Sequence, residues 1–175
     1  MTFRRAAPIA MAALITAGSA TAVLARPQSG SSASETGDQA YVTATQQNDL
    51  FAITEGRMAA RRARSAALRA YAAKSAQAHA ADMQAVQRAA KAGSVVTPPP
   101  TLSGEQRQLV RQLQAASPAS FGRIYLEQAR DLNTQSIALQ RGFSQGGGDA
   151  GLRRVASRLA DAADSTTAEL QALEP

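Results

Sequence analysis

The chain has 175 residues, a formal charge of +6 at neutral pH, no cysteine, no tryptophan and 4% aromatic residues. That length fits about one domain. The missing cysteines exclude disulfides, thiolate nucleophiles and thiolate metal sites, and the few aromatics leave little for a base-stacking surface.

The first residues read as an export signal. Arg4 and Arg5 precede an apolar, alanine-rich stretch from Ala6 to about Ala17, and small residues then lead to a break. Val23-Leu24-Ala25 fits a small-x-small cleavage site, with Ala20-Thr21-Ala22 as a second candidate. The polar, chain-breaking run after Ala25 favours the first, so residues 1–25 are expected to be a signal peptide. Thr16, Gly18, Ser19 and Thr21 make the stretch weakly apolar for a segment that must cross about 30 Å of hydrocarbon. A periplasmic or secreted location is therefore expected, with no membrane span after cleavage. Arg4 and Arg5 account for two of the positive charges.

Residues 26–37 are rich in serine and glycine without periodicity and read as a flexible tether. From Asp38 the composition shifts to Ala, Gln, Arg and Leu, all fair to good helix formers, and no alternating strand pattern occurs. A first helix is expected from about Asp38 to Ala63, with Tyr41, Phe51, Met58, Leu50 and Ile53 as its apolar positions. A turn or kink near residues 63–65 separates it from a second helix. That helix has Ser65 as N-cap and Gly93 just past its end. Its stripe is the cleanest in the chain: Leu68, Tyr71, Ala72, Ser75, His79, Met83, Val86 and Ala90, spaced by three and four. Three prolines at 98–100 forbid helix.

Ser103 opens a third segment, with Gln106 at the capping-box position. Ser117-Pro118 interrupts this segment, Pro118 suiting the first turn of a renewed helix. Phe121, Tyr125, Leu132, Ser136, Leu139 and Phe143 then recur at helical spacing until Gly146-Gly147-Gly148. Asp149 is placed to cap a last helix carrying Leu152, Val155, Leu159, Ala162, Thr166 and Leu170. Amphipathic helices of this length must bury their apolar faces against one another. The expected fold is all-α, an antiparallel four-helix bundle over residues 38–173.

Three groups of residues carry a resemblance: Phe51-x-Ile53-x-x-Gly56-x-Met58-Ala59, Tyr71-Ala72 leading to His79, and Phe121-x-x-x-Tyr125-Leu126. With the proline loop, they resemble an exported bacterial family catalogued as domain of unknown function 4142, grouped with ferritin-like bundles. The resemblance covers about Tyr41 to Leu173. Members of that family show an acid early in helix one, an Asp-His pair in helix two, a Phe-Asp pair and a later His in helix three, and a His in helix four. The corresponding residues here are Ala52, Ala78 before His79, Gly122 after Phe121, Asn133, and Ser165 or a neighbour. The resemblance thus implies a ferritin-like fold in a member that has lost most of a polar site.

Chemistry is sparse. A di-iron centre of the ferritin type needs two Glu-x-x-His pairs. The chain has one histidine, and Ala76 stands three residues before it. His79 with Met83 one turn later is a weak candidate for a soft metal ion, set against a half-buried stripe histidine beside a packing methionine. The same lone histidine leaves nucleophilic catalysis without a visible acid to orient it. No cofactor is expected. Arg57, Arg61 and Arg64 share a helix face and are candidates for binding anionic lipid or polysaccharide; export argues against nucleic acid. Asp161, Asp164 and Glu169 are possible partners for these arginines across the bundle. The expected role is non-enzymatic: a structural, binding or stress-related protein of the cell envelope. The alternatives are a degenerate metal-binding bundle centred on His79, or a basic module for anionic envelope polymers.

Overall fold

The computed structural model describes residues 29–173, with side chains from Thr36 onward. The expected signal peptide and its cleavage site lie outside the described residues. Within them the chain is all-helical, with five helices: α1 (Ser29–Arg62), α2 (Ala66–Ala92), α3 (Gly104–Ala115), α4 (Phe121–Gly146) and α5 (Ala150–Gln171). None is long and apolar enough to cross a membrane.

Local signals set most helix ends. Ser65, Ser103 and Asp149 each accept a hydrogen bond from a backbone N–H of the first turn that follows, at Leu68, Gln106 and Leu152. Ser103 and Gln106 form the reciprocal capping box, the glutamine side chain accepting from the Ser103 N–H. Two expectations are corrected. Residues 29–37, marked by composition as a tether, are helical and continue α1. No proline follows Pro27 there, and extending a formed helix costs far less than nucleating one. Pro118 stands in the turn before α4 rather than in its first turn, so the third segment is two helices. The Ser117 carbonyl accepts from Ser120 and Phe121 across that turn.

Gly93 is kept by space rather than by φ. Its φ is −84°, and a Cβ there would meet the Asp149 carboxylate at 2.6 Å. The left-handed residue after α2 is Ser94, with φ 58°.

The four long helices pack in pairs, α1 on α2 and α4 on α5, with residue numbers running in opposite directions across each pair. Gly56 faces Ala72 and Ala76, while Asp49 faces His79. Arg130 donates to the Leu170 carbonyl, while Asn133 reaches back to Ala163. A Cβ on Gly56 would stand 3.0 Å from the Ala72 carbonyl oxygen, so glycine lets α1 and α2 approach closely.

The core has three apolar clusters, two towards the ends of the bundle and a third of Phe51, Ala52, Val110 and Leu132, where α3 meets α1 and α4. One end is built on Leu68, Leu113, Phe121, Tyr125, Leu126 and Leu170. The other is built on Tyr41, Val42, Val86, Leu152, Val155 and Ala156, with Tyr41 stacked on Phe143 at 3.7 Å. Between the two end clusters polar side chains also enter the interior, among them Thr45, Gln46, Asp49, Glu55 and Gln140, and that layer holds the candidate site.

Arginines from neighbouring elements close several helix C-termini, where the last carbonyls lack intrahelical partners. Arg62 donates to the carbonyls of Leu113, Gln114 and Ala116 at the end of α3 and lies 4.6 Å over the Phe121 ring. Arg69 does the same for Ala63 and Arg64 after α1. Arg130 serves Leu170 and Leu173 at α5, and Arg153 serves Gly147 and Gly148 at α4. Asp38 completes the α4–α5 turn, its carboxylate accepting from the Gly148 and Asp149 N–H groups at 2.8 and 2.9 Å.

Candidate metal centre

Helix α1 crosses the bundle with a buried face spaced by three and four: Asp38, Val42, Thr45, Asp49, Ala52, Gly56 and Ala59. Two of these positions are acids. Asp49 is 4% exposed, and its Oδ1 lies 2.9 Å from His79 Nδ1 on α2. Asp82, one turn beyond His79, joins them. One ligand atom from each of Asp49, His79 and Asp82 falls within 4.8 Å of the others. The second oxygen of Asp49, Oδ2, is buried with no hydrogen-bond partner among the described residues. Such an orphan costs about 1–3 kcal/mol, and more when charged.

The three groups face a cavity of about 100 Å³ between the helix pairs. From α4 and α5 it is lined by neutral side chains, among them Asn133, Ser136, Gln140 and Thr166. Gln140 is fixed by Tyr41, whose hydroxyl donates to its Oε1 at 2.6 Å. A smaller void of about 20 Å³ adjoins it, sharing Tyr71, Ser75, His79, Asn133 and Thr166, and reaches Glu55 and Tyr125. Glu55 is 2% exposed, with Oε2 lacking a partner among the described residues.

The electrostatics show a site short of positive charge. Burial pushes the Asp49 carboxyl up, opposed by the hydrogen bond and charge of His79. Burial also pushes Asp82 up, to about 6, and the Asp49 charge adds to the rise while His79 opposes it. Burial alone lifts Glu55 well above the usual carboxylate range. Tyr71 is pushed up to about 12, chiefly by burial. A divalent cation between Asp49 and Asp82 would supply the charge the layer lacks.

A ferritin-type di-iron centre does not fit these residues. It needs carboxylates from four helices and two histidines, whereas α4 and α5 present neutral groups to the cavity. Two carboxylates and one imidazole on two adjacent helices make a single metal position, open towards α4 and α5.

The other expected site residues fall elsewhere. Met83 is half-buried and does not line the cavity; carboxylates, not sulfur, accompany His79. A ferritin-type pair needs an acid three residues before His79, where Ala76 stands, and the family resemblance puts helix one's acidic position at Ala52. The acids that stand beside His79 are instead Asp82, three residues after it, and Asp49, one turn before Ala52. Arg57, Arg61 and Arg64 are exposed. The ion pairs among the described residues, besides His79–Asp49, are Lys74–Glu169, Arg123–Glu127 and Arg141–Asp164. Asp164 and Glu169 thus pair with other bases, not with that arginine face.

Comparison with curated proteins and with solved structures gives no match. A family model does match: residues 23–173 fit the domain of unknown function DUF4142, and the chain belongs to that family.

Proposed function

We propose that this chain is an exported, non-enzymatic helical bundle that binds one divalent transition-metal ion at Asp49, His79 and Asp82. The observation that carries the reading is the buried Asp49 carboxylate, with one oxygen on His79 and the other unpartnered, facing a cavity that Asp82 also lines. Two carboxylates and an imidazole without thiolate suit zinc, manganese or ferrous iron better than monovalent copper. Two negative ligands balance a doubly charged ion, so binding would relieve the mutual repulsion of the aspartates. The leader-like residues 1–25 support export, and with it binding in the periplasm or outside the cell.

Titration calorimetry of the purified protein with Zn²⁺ and Mn²⁺ tests this. One ion per chain is expected, with binding lost in His79→Ala and in Asp49→Asn. No uptake by the parent protein, or equal uptake by both variants, sinks the reading.

A second reading has its own observation. Arg57, Arg61 and Arg64 are exposed, and none joins an ion pair among the described residues, so helix five does not neutralise them. This favours a face that binds anionic envelope surfaces. Binding to vesicles containing phosphatidylglycerol should weaken steeply with salt and weaken again when the three arginines become glutamine. Salt-independent binding, or none, rejects it.

A further inference from the structure

The metal position defined by α1 and α2 is open on the side of α4, and one side chain there has an oriented oxygen. Asn133 lines the cavity that holds Asp49, His79 and Asp82, and also the smaller void beside His79. Its amide nitrogen has both hydrogens committed to α5, donating to the Ala163 carbonyl at 3.1 Å and to Thr167 Oγ1 at 2.9 Å. An amide carries its donors and its acceptor on opposite branches, so two bonds from the nitrogen fix which way the group is turned. The carbonyl oxygen Oδ1 is the branch left over, and no hydrogen bond takes it among the described residues.

Resting on the metal reading above, we infer that Asn133 Oδ1 is a fourth protein ligand, closing the site from α4. The resulting set is three oxygens and one nitrogen from three helices. An amide oxygen is a hard, uncharged donor of the kind that serves divalent cations. It adds no negative charge to a site already balanced by Asp49 and Asp82. The Ala163 backbone carbonyl holds Asn133 in this orientation, and the bond to Thr167 is a second tie to α5. Ser136 and Thr166 also line the cavity, and their small hydroxyls would suit water completing the ion's coordination.

Asn133 could instead be only a staple between α4 and α5, and two variants separate the roles. Asn133→Ala removes oxygen and staple together. Thr167→Val removes part of the staple and leaves the oxygen. The probe is Co²⁺ added to the purified full chain, read by its visible d–d absorption, with Zn²⁺ affinity measured by competition. Asn133→Ala is expected to change the band shape and intensity and to weaken Zn²⁺ by about tenfold or more. Thr167→Val should keep the parent spectrum. If Asn133→Ala does not fold, Asn133→Ser, which keeps a polar contact without the carbonyl, should give the same change of spectrum. An unchanged spectrum and affinity in the alanine variant, or in the serine variant where that one is used, overturns the inference while leaving the three-ligand site standing. A parent protein that takes up neither ion overturns both.

Discussion

Asp49 and His79 meet at 2.9 Å across the α1–α2 interface although thirty residues separate them in the chain. The contact orients an imidazole with a buried carboxylate and leaves that carboxylate half satisfied. A structural pair would be expected to use both oxygens; this one keeps a buried acceptor without a donor among the described residues.

The first prediction concerns that acceptor. Asp49→Asn should leave the metal-free protein as stable as the parent or more so, because it removes a charge whose burial is unfavourable. Zn²⁺ at a hundred times its dissociation constant should stabilise the parent by about 2.7 kcal/mol and the variant hardly at all. Thermal melts with and without Zn²⁺ check both statements.

Glu55 gives a pH prediction. Burial raises its folded-state pKa well above 4.5, so the native state holds its proton more tightly than the unfolded chain. That contribution to stability is fully present below about pH 4.5 and is lost as pH rises through the folded value. Glu55→Gln should flatten this part of the stability profile and add about 1–3 kcal/mol at neutral pH. Denaturant melts at pH 4.5 and pH 8 measure the difference.

Neighbouring arginines should behave differently. Arg62→Ala leaves three terminal carbonyls of α3 without their donor and uncovers Phe121, and should cost about 1–3 kcal/mol. Arg62→Lys should recover little, since a lysine lacks the planar fork that spans those carbonyls. Arg61→Ala, on the exposed face, should stay within about 0.5 kcal/mol of the parent.

Ser94 occupies the left-handed region that favours glycine. Ser94→Gly should stabilise the protein by about 0.5–1 kcal/mol, the relief of strain being partly offset by the greater freedom of glycine in the unfolded chain. Urea midpoints suffice to test it.

Features written in neighbouring residues were legible. The α2 stripe, the caps Ser65, Ser103 and Asp149, and the all-α class follow from spacing and side-chain type alone. The phase of α1 was not. Tyr41, Phe51 and Ile53 are indeed buried, but Leu50 and Met58 are partly exposed, and the face turned inward runs through Asp38, Thr45, Gln46, Asp49 and Glu55. Reading burial from hydrophobicity hides a helix whose inner face is polar. The signal was an acid repeating in register with small residues, as at Asp49, Ala52, Gly56 and Ala59. Its meeting with His79 depends on how α1 and α2 fold back on each other, which spacing within one helix does not encode.

The arginine caps have a consequence for cooperativity. Arg62 sits on α1 and secures α3, Arg69 on α2 secures α1, Arg130 on α4 secures α5, and Arg153 on α5 secures α4. Each of these helix ends is finished by a side chain that another helix delivers, so fraying at one terminus releases a staple that its neighbour provides. Unravelling is thereby made collective in a protein with no disulfides and little aromatic mass. Part of the chain's high basicity is joinery between helices, and only the remainder is available to a partner.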